Sequence, residues 1–351
     1  MIHWQCHSPS PYNSVLFDSI ARQHPLVVHY RFGNSVAHPW SSISSGHQAV
    51  HWNGDVKKIA KSMHEFSRSS TDLVVFGSWV GLPVLACLGA ALASGRRFVL
   101  WTDTPNQHTR RSWIKMAVRS SLCRFLFSRA YRVLGTGPMC LDRLSEMGCQ
   151  PTKLMDLPYI VDPTAYGLAA MPRPGLPLRL CIVGRLSPEK GVLRAIQAVA
   201  VVRAAGHDIE LSIIGSGPEE QLLRQATCTL EQGAAIRFLG WLQPGELRSE
   251  LAGHHFLLHA ADHEPYGVVV VEALCSGLPV IGTDTTAAVV HRVQDGVNGF
   301  IAPATVDGLV RALLQVVEKR DSWDELSMSA RKEGAAWPPE RAADLVLSLL
   351  P

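Results

Sequence analysis

The chain has 351 residues, 47% hydrophobic and 18% charged, which is enough apolar material for two packed domains and too little charge for a disordered chain. The net charge of +3 conceals two unlike halves: residues 1–175 carry +9 and the remainder −6, an asymmetry that calls for an explanation. No apolar run approaches the ~20 residues needed to span a bilayer, the start MIHWQCHSPS lacks the pattern of a secretory signal, and eight scattered cysteines without a C-x-x-C pair speak against zinc and redox motifs. These features suggest a cytoplasmic protein, at most peripheral on the inner face of a membrane.

In chain order, strands are expected at Pro25 to Tyr30, Asp72 to Phe76, Arg97 to Trp101 and Arg132 to Gly135 in the first half. In the second they are expected at Leu178 to Val183, Ile209 to Ile214, Ile236 to Leu239, Phe256 to His259, Pro279 to Gly282 and Gly299 to Ile301. Several are continuous apolar runs, as in parallel strands covered on both faces. Helical stretches lie between them, and Gly81 to Ala93 reads as a buried helix. The alternation implies βαβ units and an α/β fold of two Rossmann-like, doubly wound domains facing a cleft. The boundaries expected are 1–165 for the first domain, a Pro/Gly-rich linker at 166–177, 178–335 for the second domain, and a C-terminal helix in 336–351 returning to the first.

The strongest motif is HEPYGVVVVEALCSGLPVI, His263 to Ile281. Pro265 suits a first helical turn, with a helix from about Gly267 to Cys275. Glu264 then sits in the loop and Glu272 about two turns along. The amides of Tyr266, Gly267 and Val268 open the helix and suit an anion or hydroxyl group. Glu264 and Glu272 are equally readable as ordinary helix charges. Yet Glu272 stands in an otherwise apolar helix, and a buried carboxylate needs a partner, for which vicinal hydroxyls of a ligand would serve. The second motif is CIVGRLSPEKGV, Cys181 to Val192, where a strand ends at Gly184 and is followed by Arg185 and Lys190. Ser187 and Pro188 look like an N-cap and first helical residue, and the two cations could hold a diphosphate. The third, SIIGSGPEEQLL, lets the chain turn at Gly215 and Gly217, but lacks the third glycine of a dinucleotide fingerprint.

Taken together, GRLSPEKG, IIGSGP, FLGWL, HEPYGVVVVEAL, GLPVIGTD and DGVNGF, in this order, resemble the retaining glycosyltransferases of the GT-B fold, family 4 (glycosyl transferases group 1), closely over about 178–305. The resemblance implies a nucleoside-diphosphate sugar, UDP- or GDP-linked, held mainly by the second domain and transferred with retention to an acceptor hydroxyl. It implies that Arg185 and Lys190 neutralise the diphosphate, that Glu264 and Glu272 are the two acids of an E-x7-E motif at the donor sugar and the ribose, and that Gly267 and Val268 offer amides. Gly215, Gly217 and Trp241 would border the base.

The first half matches less closely. SPSPYNSVLFDSIA resembles the start of a family subgroup, with Tyr12 and Asn13 where many members have a Gly-Gly loop. Asp103, or else His108, stands where many have a histidine at the donor sugar. No D-x-D motif occurs, so neither metal nor cofactor is expected. Glu264, Arg185, Lys190 and Asp103 are therefore the expected catalytic group. A sugar-nucleotide epimerase or phosphorylase of the same fold, or a noncatalytic membrane-docked scaffold, is the alternative.

From Thr104 to Leu141 there is no acidic residue. Arg111, Lys115 and Arg119 share one helical face, beside an apolar stripe of Trp113, Ile114, Ala117, Val118, Leu122, Phe125 and Leu126. This is the pattern of a helix that lies on an anionic membrane, and equally of a domain helix with a solvated basic face. Nothing resembles a nucleic-acid module. The resemblance implies that the first half faces the acceptor, so its excess positive charge is read as a clue to that acceptor, a glycan or lipid-linked glycan.

Overall fold

The computed structural model describes residues 1–33, 40, 46–68, 73–105, 113–167, 177–230 and 233–351, and for 113–117 and 234 the backbone alone. The chain divides into two units, Met1–Ile160 with Pro338–Pro351, and Val161–Trp337. His108 and Arg111 fall outside the described residues, as do 168–176 of the expected linker.

The first unit runs β1 (Ile2–Cys6), α1 (Pro11–Ala21), β2 (Leu26–Tyr30), β3 (Gln48–His51), α2 (Val56–Arg68), β4 (Leu73–Phe76), α3 (Leu82–Ala93), β5 (Phe98–Thr102), α4 (Trp113–Arg129), β6 (Arg132–Gly135), α5 (Pro138–Glu146) and β7 (Leu154–Asp156). Its sheet is parallel, with the order β3-β2-β1-β4-β5-β6-β7. Three of these strands do not read as strands in the sequence. β1 is buried at every position but carries His3 and Gln5, so it is no apolar run. His3 Nδ1 lies 3.2 Å from His29 Nε2, and His29 Nδ1 lies 2.8 Å from Ser62 Oγ, so the polar groups are met inside the core. Burial, and then the neighbouring His3 and Lys61 charges, push the His29 pKa down to about 3 and keep the ring neutral. β3 is a half-exposed edge, and β7 has only three residues.

Two helices depart from expectation. α3 buries one face, through Val84, Cys87, Leu88 and Ala91, while Leu82 is 82% exposed; it is a covering helix, not a buried one. In α4 the expected apolar stripe is divided, with Leu126 buried but Val118 and Phe125 on the surface. Among the described residues, no helix is long and apolar enough to cross a membrane.

The second unit runs β8 (Leu178–Val183), α6 (Val192–Ala204), β9 (Ile209–Ile214), α7 (Glu220–Cys228), β10 (Ile236–Gly240), α8 (Pro244–Leu251), β11 (Phe256–His259), α9 (Val268–Cys275), β12 (Val280–Thr283), α10 (Ala287–Arg292), β13 (Gly299–Ala302), α11 (Val306–Glu318) and α12 (Trp323–Gly334). The sheet is again parallel, with the order β10-β9-β8-β11-β12-β13. All six strands match their expected segments to within a residue; β9, β11 and β12 are buried almost throughout, whereas the edge strand β10 is half-exposed. Ile196, Val199, Leu211, Ile213, Leu258 and Leu313 are in the core between sheet and helices. The last helix, α13 (Pro339–Leu347), belongs to the first unit and packs on α1. The division at Ile160 also assigns Tyr166 to the second unit.

In both sheets the strand order reverses beside the first strand, between β1 and β4 and between β8 and β11. Such a reversal opens a crevice at the carboxyl ends of the strands, because the connections on either side leave in opposite directions.

Candidate functional site

In the second unit the loop after β8 carries Arg185 and Lys190, and the loop after β11 carries Glu264. The β8–β11 reversal therefore places these motifs side by side although 74 residues separate Lys190 from Glu264. Lys190 Nζ donates to Glu264 Oε2 in an ion pair whose side chains are 24% and 12% exposed. His259 Nε2 lies 3.7 Å from the same oxygen. Burial works against the charge of Glu264, but the neighbouring His259 and the Lys190 ammonium outweigh it and hold its pKa down to about 2.

Because this pKa lies below the ordinary carboxylate value, the stability it contributes is present above about pH 4.5 and is lost as the pH falls toward 2. Acid titration followed by circular dichroism should therefore show E264Q losing less stability than wild type between pH 4.5 and 2. Parallel acid curves for the two proteins would contradict the assignment.

The backbone brings the other strand ends to the same place. A Cβ on Gly191 would lie 2.1 Å from the Ala260 carbonyl oxygen, so the β8 and β11 loops touch at a position with φ +62° that suits only glycine. Asp262 N–H donates to the Glu189 carbonyl at 2.8 Å. Gly215 meets Gly184 in the same way, since a Cβ on Gly215 would fall 1.9 Å from the Gly184 oxygen, and Gly217 meets Leu186. Gly215 N–H donates to the Gly240 carbonyl at 2.7 Å, which brings Trp241 beside this turn. A cavity of about 720 Å³ opens against Gly217, Pro218, Gln221 and Arg224; Arg185, Lys190 and Glu264 do not line it.

Some local expectations are corrected. Pro188–Lys190 is a single 3-10 turn, and α6 begins only after Gly191. The Ser187 hydroxyl donates to Glu189 Oε1 at 2.6 Å and caps no helix. Pro265 precedes α9, which opens at Gly267 with φ +97° and no side-chain cap, leaving the Gly267 and Val268 end of the helix to the backbone alone. The Tyr266 ring is buried against His291, so only its main chain faces the helix start. Arg185 is exposed at the β8 exit.

Glu272 has a partner that the sequence did not reveal. The Tyr166 hydroxyl donates to Glu272 Oε1 at 2.9 Å, and the Arg248 guanidinium lies 5.8 Å from the Tyr166 ring centre. Burial raises the Glu272 pKa against the Tyr166 hydrogen bond and the Arg248 charge. The two acids of one motif are thus pushed in opposite directions, Glu264 toward the charged and Glu272 toward the neutral form. Tyr166 takes one of the two carboxyl oxygens of Glu272.

The first unit has its own group at the carboxyl edge of its sheet. Ser10 caps α1 by accepting from Asn13 N–H at 3.3 Å, which fixes Tyr12 and Asn13 in the first turn. Asn13 is buried, with Nδ2 3.5 Å from Cys6 Sγ. Tyr12 packs edge-on against Tyr159, ring centres 5.1 Å apart, and Tyr159 against Trp101 at 5.2 Å. Burial, and next the Asp103 charge, raise the Tyr159 hydroxyl pKa, so Asp103 belongs to this cluster. Tyr159 carried no motif by which sequence reasoning could find it.

Residues 172–334 match the family model "Glycosyl transferases group 1". The chain is 27% identical over 198 residues to the amylovoran biosynthesis glycosyltransferase AmsK of Erwinia amylovora, covering 55% of this chain and 48% of AmsK. It is 32% identical over 181 residues to the glycogen synthase of Mycobacterium tuberculosis, covering 49% and 42%. The matches thus span about half the length of these relatives. Among solved structures it is similar to Anabaena Alr3699/HepE in complex with UDP and glucose, at TM-score 0.77 and 17% identity over 99% of each chain. That likeness shows the expected GT-B fold.

Proposed function

We propose that this chain, whose residues 172–334 match the family model of the group 1 glycosyl transferases, moves a sugar from a UDP- or GDP-sugar to a hydroxyl of a glycan or lipid-linked glycan, with retention at the anomeric carbon. The observation that carries this reading is the convergence of Arg185, the Lys190–Glu264 pair and the uncapped start of α9 at one strand reversal. The chemical task is to stabilise charge building on the departing diphosphate, for which fixed cations and helix amides need no reorganisation. In this reading Arg185 and Lys190 receive that charge. With no D-x-D motif in the sequence, we assign the neutralisation to these side chains and not to a metal.

A carboxylate held near pKa 2 is a weak base. Glu264 therefore orients Lys190 and accepts a sugar hydroxyl, while the leaving phosphate takes the acceptor's proton on the same face. Glu272 Oε2 accepts from the ribose, and the turn at Gly215, Gly217 and Trp241 borders the base. Tyr12, Asn13 and Asp103 are assigned to the acceptor side.

Contact with an anionic membrane through Arg111, Lys115 and Arg119 is part of the same proposal. It is supported by the exposed Val118 and Phe125 beside Arg119.

A thermal-shift panel of UDP, GDP, ADP and TDP with their sugars tests the donor. A ligand that binds only the folded chain stabilises it by about 2.7 kcal/mol at a hundred times its Kd. One base should stand out, and the shift should shrink in R185A. Identical melting temperatures across the panel would overturn the reading.

A further inference from the structure

We propose that the first unit carries a separate site for a phosphate group at the amino edge of its sheet, formed by Arg96, Arg97, Arg129 and Arg132 around Tyr131. A cavity of about 300 Å³ is lined there by Leu92, Gly95, Arg96, Arg97, Ser128, Arg129 and Tyr131, with no carboxylate among them. Arg97 leads into β5 and Arg132 opens β6, whereas Asp103 follows the far end of β5. A five-residue strand, about 17 Å, therefore separates this cavity from the Tyr12, Asn13 and Asp103 cluster.

Two guanidiniums share one ring: Arg97 lies 4.5 Å and Arg132 4.7 Å from the Tyr131 centre. Stacking fixes both planes and leaves most of their N–H donors unspent, Arg132 giving one to the Tyr131 carbonyl at 3.1 Å. Arg96, only 8% exposed, is set into the wall with a partner of its own, and the grip falls to Arg97, Arg129 and Arg132. The described ion pairs of this unit lie elsewhere, at Arg22–Glu340, His29–Glu65, His47–Asp18, Lys61–Glu65 and Arg143–Glu146. The end of α4 would ordinarily repel an anion. Here Lys153 Nζ takes the carbonyls of Phe127, Ser128 and Ala130 at 3.0, 2.7 and 2.9 Å, and so covers that negative end. No carboxylate is among the described residues lining the cavity, and guanidiniums such as those of Arg97 and Arg132 can grip an oxyanion two bonds at a time, a geometry that phosphate has. The phosphate belongs either to a soluble ester or to a phospholipid headgroup, and two arms of one experiment separate them.

The full chain is titrated with inorganic phosphate at constant ionic strength by calorimetry, in a K190A background that silences the donor side. It is also sedimented with vesicles of phosphatidylglycerol and phosphatidylcholine in equal parts. The site predicts at least tenfold weaker binding in R97Q/R129Q, and severalfold weaker in R129Q, whose exposed side chain leaves the Tyr131 stack intact. The control K57Q/K58Q, exposed on α2 and outside the cavity, should bind within twofold of its parent. Loss confined to the phosphate arm assigns a soluble phosphate, and loss in the vesicle arm assigns a headgroup. Unchanged binding by R97Q/R129Q in both arms, no binding of either probe, or an equal loss in K57Q/K58Q overturns the proposal.

Discussion

Replacing Lys190 with alanine should lower kcat for glycosyl transfer by roughly 10²–10³-fold, the size expected when one fixed donor to developing negative charge is removed. The pair geometry adds a second consequence. Glu264 is largely buried and is held charged against its own burial by His259 and Lys190. K190A should therefore raise the Glu264 pKa toward the ordinary carboxylate range and shift the acid limb of the rate profile upward. E264Q keeps the shape and removes the charge, so it should lose activity while leaving the fold in place. A double-mutant cycle of K190A and E264A, read in kcat and in urea unfolding, should show coupling in both, because each residue is the other's partner. A K190A enzyme with kcat within threefold of wild type would remove Lys190 from the chemistry.

Gly215→Ala should be the most damaging single substitution for the second unit. The residue has φ +133°, and its added Cβ would lie 1.9 Å from the Gly184 carbonyl oxygen, a backbone atom at the end of the central strand β8. Backbone strain and overpacking each cost about 1–3 kcal/mol, so a loss of about 4 kcal/mol is expected, or roughly 10 °C in Tm for a unit of this size. Relief can come only by moving β8 away from β9, which also displaces Arg185. G215A should accordingly lose the thermal shift given by the preferred nucleotide even below its lowered Tm. Gly206→Ala, at φ +94° with open space around the Cβ, separates the two effects. It carries the backbone strain alone and should keep nucleotide binding.

The second unit was the more legible part of the fold. Its strands are mostly apolar, with single charges at Arg179, Glu210 and Arg237, and its loops carry charged or glycine residues at fixed offsets from them. In the first unit β1 was hidden because its His3 meets His29 of β2 inside the core and its Gln5 Nε2 donates to the Cys6 carbonyl, and an alternation of polar and apolar residues gives no hint that both faces are covered. The expected apolar stripe of α4 failed for a related reason. Periodicity reports which residues share a face, but Val118 and Phe125 stay exposed because the neighbouring elements do not reach them.

The sequence alone determined the α/β class, the order of the motifs, and Arg185, Lys190, Glu264 and Glu272 as the residues of interest. These follow from local spacing, which a chain carries whatever its partners. Tertiary structure alone decided who meets whom. Lys190 finds Glu264 across 74 residues and Tyr166 finds Glu272 across 106, because the strand order sets β11 beside β8 and no local pattern encodes that order. The same holds for the charge asymmetry of the opening count: composition shows that the first half is basic, but the order of β5 and β6 gathers Arg97 and Arg132 around one tyrosine.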